Sequence, residues 1–453
     1  MAVKFVILGG GPAGVHAATH AARLGAEVTL VERDVIGGSA NLRDCIPSKA
    51  MIATGAVMSL TERAPVMGLE AVEGKLDLDA MRARVGSIAD HLERSIHQLL
   101  SSQGVRLLTG TASFTSPHEL MVTGGEEPVT LSADAVLVAT GSRPRVPDWA
   151  EVDGERILLT RQAYPPSELP EHLVVVGSGV TGVEFVHMFR SLGSTVSLIV
   201  SRQQVLPTKD PEVAAALEDD FLRRGVTLYK GARAVGADVS EGAVVVRCDD
   251  GRSVVGSHVL LAVGSLPNSE GIGLDAAGVE VDASGYIPVN HHCQTNVEHV
   301  YAAGDVSGKL PLASVASMQG RKVAEHVMGL HTRAHRHLDY DKAASAIFTE
   351  PEIADVGIAE AEAFASGRKI RVTKVPYAAN ARALIDGDPR GFVKIISDPA
   401  TGVVLGGSIV GAHAAELISV VALAVTANLR VSDIVESLLV HPALAEALAD
   451  AAE

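Results

Sequence analysis

The sequence is short of three things: cysteine, basic clusters and long apolar runs. Its 453 residues hold three cysteines, Cys45, Cys248 and Cys293. So small and odd a number excludes a disulfide scaffold and fits a reducing compartment, so a cytoplasmic location is expected. Lysine and arginine number 38 against 54 acids, a net charge of -16, with no basic block. That excludes nucleic acid or an anionic membrane as the main partner. A phosphate ligand must then be held mostly by backbone N–H groups and helix ends. The least polar late stretch, Leu417 to Leu429, lies between Glu416 and Arg430. It is too short to span a bilayer and predicts a buried helix. The first residues run straight into a strand, leaving no room for a leader peptide. What remains is ordinary for a soluble enzyme, 47% hydrophobic and 20% charged. The length predicts roughly two to four domains and a large core.

Two glycine patterns carry the strongest signal. A short apolar strand, Lys4 to Leu8, leads into Gly9, Gly11 and Gly14, with Pro12 and Ala13 opening an alanine-rich helix. A second strand ends at Glu32. Glycines permit a tight turn and close approach to a pyrophosphate. The helix N-terminus meets its charge, and the terminal acid accepts from a ribose hydroxyl. A bare glycine triplet would be an ordinary turn; strand, helix and acid together predict a dinucleotide site. The pattern recurs at Gly177, Gly179 and Gly182, with Val180 and Thr181 opening the next helix. There the second strand ends Val200, Ser201, Arg202, without an acid. A neutral or basic turn tolerates a ribose 2'-phosphate, so NADPH is expected to be accepted as well as NADH; Arg202 as a merely solvated charge is the other reading. Two such sites in one chain predict electron transfer between two dinucleotides. Between the patterns, Met81, Val85, Ile88, Leu92, Ile96 and Leu99 form one apolar helix face for packing.

Gly37 to Lys49 reads GGSANLRDCIPSK, predicted to open a helix with Pro47 in its first turn. A thiol at a helix N-terminus has a stabilised thiolate, so Cys45 is a candidate reactive sulfur; a small core residue is the alternative. This stretch resembles the redox segment of the flavoprotein disulfide reductases, the family of dihydrolipoamide dehydrogenase and glutathione reductase. In that family two cysteines, with four residues between them, precede Ile-Pro-Ser-Lys. Cys45, Ile46, Pro47, Ser48 and Lys49 match, while Ala40 stands at the first cysteine. Further matches are Ala139-Thr140-Gly141, the LLAVGSLPN stretch containing Gly264, VYAAGD with Gly304 and Asp305, and LASVASMQG from Leu312 through Ala313 and Ser314. FTEPEIADVG, GFVKI and the terminal His441-Pro to Glu446 stretch complete them.

The resemblance implies an α/β fold with two Rossmann-like domains and a C-terminal α/β dimerisation domain. Its expected parts are FAD-binding residues 1–150 and 271–340, NAD(P)-binding residues 151–270 and dimerisation residues 341–453. It implies FAD bound by the first fingerprint, by Gly38, Ser39, Cys45 and Lys49, and by the Ala-Thr-Gly and Gly-Asp turns, with Asp305 on the ribityl chain. The helix opening at Leu312 to Ser314 would point at the flavin pyrimidine edge. Gly177 to Gly182, Ser201, Arg202 and Gly264 would serve the pyridine nucleotide. Lys49 and Glu184 would meet near flavin N5, and His441 with Glu446 would serve the partner subunit of a homodimer. Residues 331 to 343 read as a linker.

Without a sulfur at position 40 there is no dithiol relay. The chain resembles the branch of that family known as quinone reductases, which carry alanine there. The expected activity is an NAD(P)H dehydrogenase passing electrons from FAD to a quinone or similar diffusible acceptor. The alternatives are a dihydrolipoamide dehydrogenase, a peroxide or oxygen reductase cycling a Cys45 sulfenic acid, and a flavin-bound regulatory subunit of low turnover. Two readings of His441 stand: a relic of the dithiol chemistry, or a proton donor to a reduced quinone. The histidine groups His291–His292 and His331, His335, His337 are expected in loops, with no metal.

Overall fold

The computed structural model describes residues 2–125, 127–240, 242–330 and 338–453. Its helices include α1 (Pro12–Arg23), α2 (Ile46–Glu62), α3 (Leu78–Ser102), α4 (Val180–Ser191), α5 (Pro211–Arg223) and α6 (Ala313–Val327). The chain forms two compact units, residues 1–48, 82–145 and 264–340, and residues 49–81, 146–263 and 341–453.

The first unit is built on a parallel sheet. Its order is Val300–Ala302, Ala135–Val138, Lys4–Leu8, Glu27–Glu32, Arg106–Thr109. The first strand therefore has Leu8 paired with Val31 on one side and Val138 on the other. Strand order reverses there, which opens a crevice at the carboxyl ends where such sheets bind ligands. Side chains alternate across the sheet and both faces are covered. Phe5, Ile7, Leu30 and Leu137 pack with the alanines of α1 and with Val323 and Ala324 of α6. Val6, Leu8, Val136 and Val138 pack with Phe114, Leu120 and Val122 of a three-stranded meander.

The second unit repeats the parallel design. Its order is Thr227–Lys230, Thr195–Val200, His172–Val176, His258–Leu261, Ile157–Leu158. A separate antiparallel sheet of five strands follows in residues 345–410, backed by the helix Ala414–Ala427.

Three expectations need correction. Pro47 does fall in the first turn of α2, but Cys45 does not sit at a free helix N-terminus. Ser39 is already helical, Ala40–Cys45 form a π turn, and α2 continues from Ile46, whose N–H donates to the Asn41 carbonyl. Proline has no N–H to give within a helix, and a widened turn accommodates such a break. Second, the 417–429 stretch is not buried all round. Ile418, Val421 and Val425 are buried, but Leu423 is 64% exposed. Third, the apolar face of α3 ends on Leu100, fully buried, and not on Leu99. At 3.6 residues per turn the step from Ile96 to position 100 holds the stripe better than the step to 99. The linker residues His331, His335 and His337 lie outside the described residues.

Candidate nucleotide and redox sites

In the first unit, glycine is required at the turn after Leu8. Gly9 has φ +106°, and a Cβ there would stand 2.3 Å from the Ala139 carbonyl oxygen. A Cβ on Gly14 would stand 1.9 Å from the Gly9 carbonyl oxygen. Gly11, by contrast, caps α1 without crowding: a Cβ there would make only an ordinary contact, with the Gly38 Cα at 3.8 Å. No side chain caps α1, and no acid lies in its first turn at Pro12 and Ala13. Pro12 has no N–H, so the free N–H groups that follow it in this turn, from Ala13 on, are the ones oriented for an anion.

Glu32 is held by the backbone. One carboxylate oxygen accepts the Gly10 N–H at 2.6 Å, and the other accepts the Arg33 and Asp34 N–H groups, each at 2.8 Å. Beside it opens a cavity of about 270 Å³ lined by Gly9, Glu32, Gly110, Thr140, Arg143 and Asn268, among others. Ser39 donates a hydrogen bond to Asp34, at the edge of the same loop.

The Ala139-Thr140-Gly141 turn is locked by a residue that the sequence reading did not single out. Asn268 accepts on its carbonyl from the Thr140 hydroxyl at 2.7 Å and donates its amide to the Thr140 carbonyl at 2.9 Å. Its own N–H donates to the Gly141 carbonyl at 2.9 Å. Arg143 donates to Pro267 and pairs with Glu270 at 2.9 Å. Gly264 accepts the Arg145 N–H at 2.9 Å. The Gly304–Asp305 turn follows the edge strand, and Asp305 accepts from Ser142 at 2.6 Å. Leu312 precedes α6, whose first residues Ala313 and Ser314 carry neither a side-chain cap nor an acid.

The second fingerprint, in the second unit, has the same build. Gly177 has φ +110° and lies where a Cβ would stand 2.2 Å from the Ala262 oxygen; one on Gly182 would stand 1.8 Å from the Gly177 oxygen. Gly179 is open, and α4 starts at Val180 and Thr181 uncapped. The strand end differs. Val200 is fully buried, while Ser201 and Arg202 are exposed.

Two polar pairs lie in the second unit. Lys49 reaches Glu184 at 2.8 Å. Glu184 is 5% exposed, and its second oxygen accepts the Phe348 N–H at 3.0 Å. The Lys49 ammonium lies 4.9 Å from the centre of the Phe348 ring. Glu184 is buried while Lys49 is partly exposed, so removing the lysine would leave a buried carboxylate without its partner charge. His441 donates its Nδ1–H to Glu446 at 2.7 Å, and Glu446 also accepts the Ala443 N–H at 2.9 Å. The Ala443 N–H and then the imidazole hold the Glu446 carboxyl below the usual range.

Cys45 is half-buried and in no disulfide. Cys248 and Cys293 are buried. Burial raises the Cys248 thiol and pushes Cys293 up to about 11, so neither suits exchange at neutral pH. His291 and His292 precede Cys293 with ring centres 4.0 Å apart.

Residues 3–320 match the model of the pyridine nucleotide-disulphide oxidoreductase family, and residues 343–452 match that family's dimerisation domain. The chain belongs to this family. It is 40% identical to an NAD(P)H dehydrogenase (quinone) of Mycobacterium tuberculosis, over 100% of this chain and 94% of that protein. It is 34% identical to a dihydrolipoyl dehydrogenase of Bacillus subtilis, over 99% and 96%. Among solved structures, LpdA from Mycobacterium tuberculosis superposes with a TM-score of 0.94 at 40% identity, over 99% of both chains. The HOCl-induced flavoprotein disulfide reductase RclA from Escherichia coli gives 0.87 at 25%, again over 99% of both.

The protein is therefore a flavoprotein oxidoreductase that uses FAD and NAD(P)H, with two Rossmann-like folds and a homodimer-forming domain. The first unit fits FAD. The cavity beside Glu32 suits a ribose and base, and the uncrowded Gly11 with the uncapped α1 suits a pyrophosphate. Among the described residues, no helix is long and apolar enough to cross a membrane.

Proposed function

We propose that this enzyme is an NAD(P)H dehydrogenase that passes electrons from FAD directly to a quinone or a similar diffusible acceptor, without a dithiol relay. One observation carries the reading. Ala40 occupies the position of the first redox cysteine, Cys45 is in no disulfide, and the other two thiols are buried. The name of the Mycobacterium tuberculosis relative supports it.

When bound, FAD takes up hydride from the pyridine nucleotide and gives electrons to the acceptor. The residues of this chain bind, orient and supply protons. Gly9, Gly11, Gly14 and α1 hold the FAD pyrophosphate, Glu32 a ribose and Asp305 the ribityl chain. Gly177, Gly179, Gly182 and α4 hold NADPH at least as well as NADH, because no acid closes the second site. Lys49, fixed by Glu184, sets the flavin's electrostatic surroundings. The Nδ1–H of His441 is committed to Glu446, so Nε2 is the nitrogen that delivers a proton to the acceptor, in the partner subunit's site. A cytoplasmic location and the division at residues 150, 270 and 340 belong to the same proposal.

The relatives named dihydrolipoyl dehydrogenase, and the retained His441–Glu446 pair, favour a second reading as a dihydrolipoamide dehydrogenase. A panel of purified enzyme separates the two. NADH and NADPH are each crossed with a quinone, peroxide and oxygen, and dihydrolipoamide is tested with the oxidised nucleotides. Fast quinone turnover with negligible dihydrolipoamide turnover is expected. Dihydrolipoamide turnover matching that of the quinone refutes direct transfer.

A further inference from the structure

Gln319, on α6, is a buried amide used at both ends. It is 1% exposed. Its Oε1 accepts the Gly304 N–H at 2.7 Å, and its Nε2 donates to the Tyr340 hydroxyl at 2.9 Å. A backbone N–H needs an acceptor, so the amide has one orientation only. Gly304 itself sits at φ +75° and ψ −159°, a conformation open essentially to glycine.

The neighbouring residue on α6 faces a different element. A Cβ on Gly320 would stand 2.0 Å from the Ala13 carbonyl oxygen, so α6 lies directly on the first turn of α1. A Cβ on Gly304 would find Ala316 at 3.7 Å and Ala13 at 3.8 Å. Three elements thus meet within the first unit: the opening of α1, the middle of α6, and the turn that presents Asp305.

We propose that Gln319 is a positioning residue for FAD: by holding the Gly304 amide it fixes the Gly304–Asp305 turn relative to the opening of α1. The pyrophosphate-binding helix and the ribityl-binding carboxylate then keep one spacing. This rests on FAD binding in the first unit and not on the identity of the acceptor. Gln319 leaves the chemistry alone and acts through Gly304.

The test uses holoenzyme carrying Gln319→Leu, Gln319→Glu or Tyr340→Phe. FAD release on dilution is followed by flavin fluorescence, and the bound flavin by visible circular dichroism. An unmet buried donor predicts about tenfold faster release for Gln319→Leu, with an altered dichroic band. Gln319→Glu keeps an acceptor for Gly304 and should restore release to within about threefold of wild type. If the leucine variant folds poorly, Tyr340→Phe serves, since it keeps the Gly304 bond and removes the hydroxyl that holds the far end of Gln319 and also bonds the Cys293 thiol. It should give a smaller acceleration with the same band change. Wild-type release in the leucine variant overturns the proposal. So does faster release with an unchanged band, or a glutamate variant that behaves like leucine.

Discussion

The two glycine turns of this molecule agree to about a tenth of an ångström where glycine is obligatory. The missing Cβ of Gly14 would sit 1.9 Å from the Gly9 oxygen, that of Gly182 1.8 Å from the Gly177 oxygen. Each turn is also tied back by the segment after its second strand: Gly37 donates to Gly10, and Leu206 to Ser178. The difference lies at the strand end. Glu32 collects three backbone N–H groups and lines a cavity; Val200, in the same place, is buried and apolar. On the proposed reading, turn geometry provides for what all dinucleotides share, the pyrophosphate. The residue ending the second strand decides which ribose is accepted.

The sharpest way to break this comparison is to spoil one turn at a time. Gly14→Ala should cost more than a hundredfold in FAD affinity, leaving a colourless protein, because the methyl meets backbone that cannot retreat. Gly182→Ala should leave the protein yellow and slow flavin reduction by NADPH to a similar degree. Absorbance at purification and stopped-flow bleaching read the two effects. If both variants lose flavin together, the two turns do not serve separate ligands.

His441→Ala comes next and should touch neither nucleotide. Acceptor reduction should slow by roughly 10²-fold where proton transfer limits, with flavin reduction by NADPH unaltered. An unchanged oxidative half-reaction marks His441 as a relic. Third, Val200→Glu should give the second site what the first has and shift preference from NADPH toward NADH about tenfold, read as the ratio of kcat/KM values. A hundredfold preference for NADH in the wild type contradicts the open-site reading from the start. The smallest effect is expected from Cys45→Ser, which should keep quinone turnover within about twofold, since no sulfur relay is invoked. Loss of that turnover with FAD still bound refutes direct transfer.

Both fingerprints and their strands were legible because the signal is local: glycine, strand and helix fall within some thirty residues. The π turn was not. The sequence shows Pro47, which suits a first turn, but not that helical geometry has already begun at Ser39. Nor were the long-range clamps. Asn268 on the Thr140 turn and Gln319 on Gly304 look like ordinary polar residues until the sheet order brings their partners to them. The same holds for a buried charge network in the second unit, where Arg390 meets Asp220 of α5 at 3.0 Å and Glu350 at 2.7 Å. Nearby on α4, burial and then Arg224 depress His187 to about 3, keeping it neutral. One turn earlier on that helix stands Glu184, whose partner Lys49 was anticipated only through the family likeness.

Three helices, α1, α4 and α6, open without a side-chain cap or an acid in the first turn, in a chain whose net charge is -16. Their positive ends act over little more than one turn, while the surplus of acid acts over a Debye length, about 10 Å in 0.1 M salt. An anionic nucleotide arriving from bulk therefore meets repulsion before attraction. Ionic strength shields the outer field more than the inner one. Raising the salt should accordingly hasten the capture of NADPH by this enzyme, the opposite of what a basic binding patch would produce.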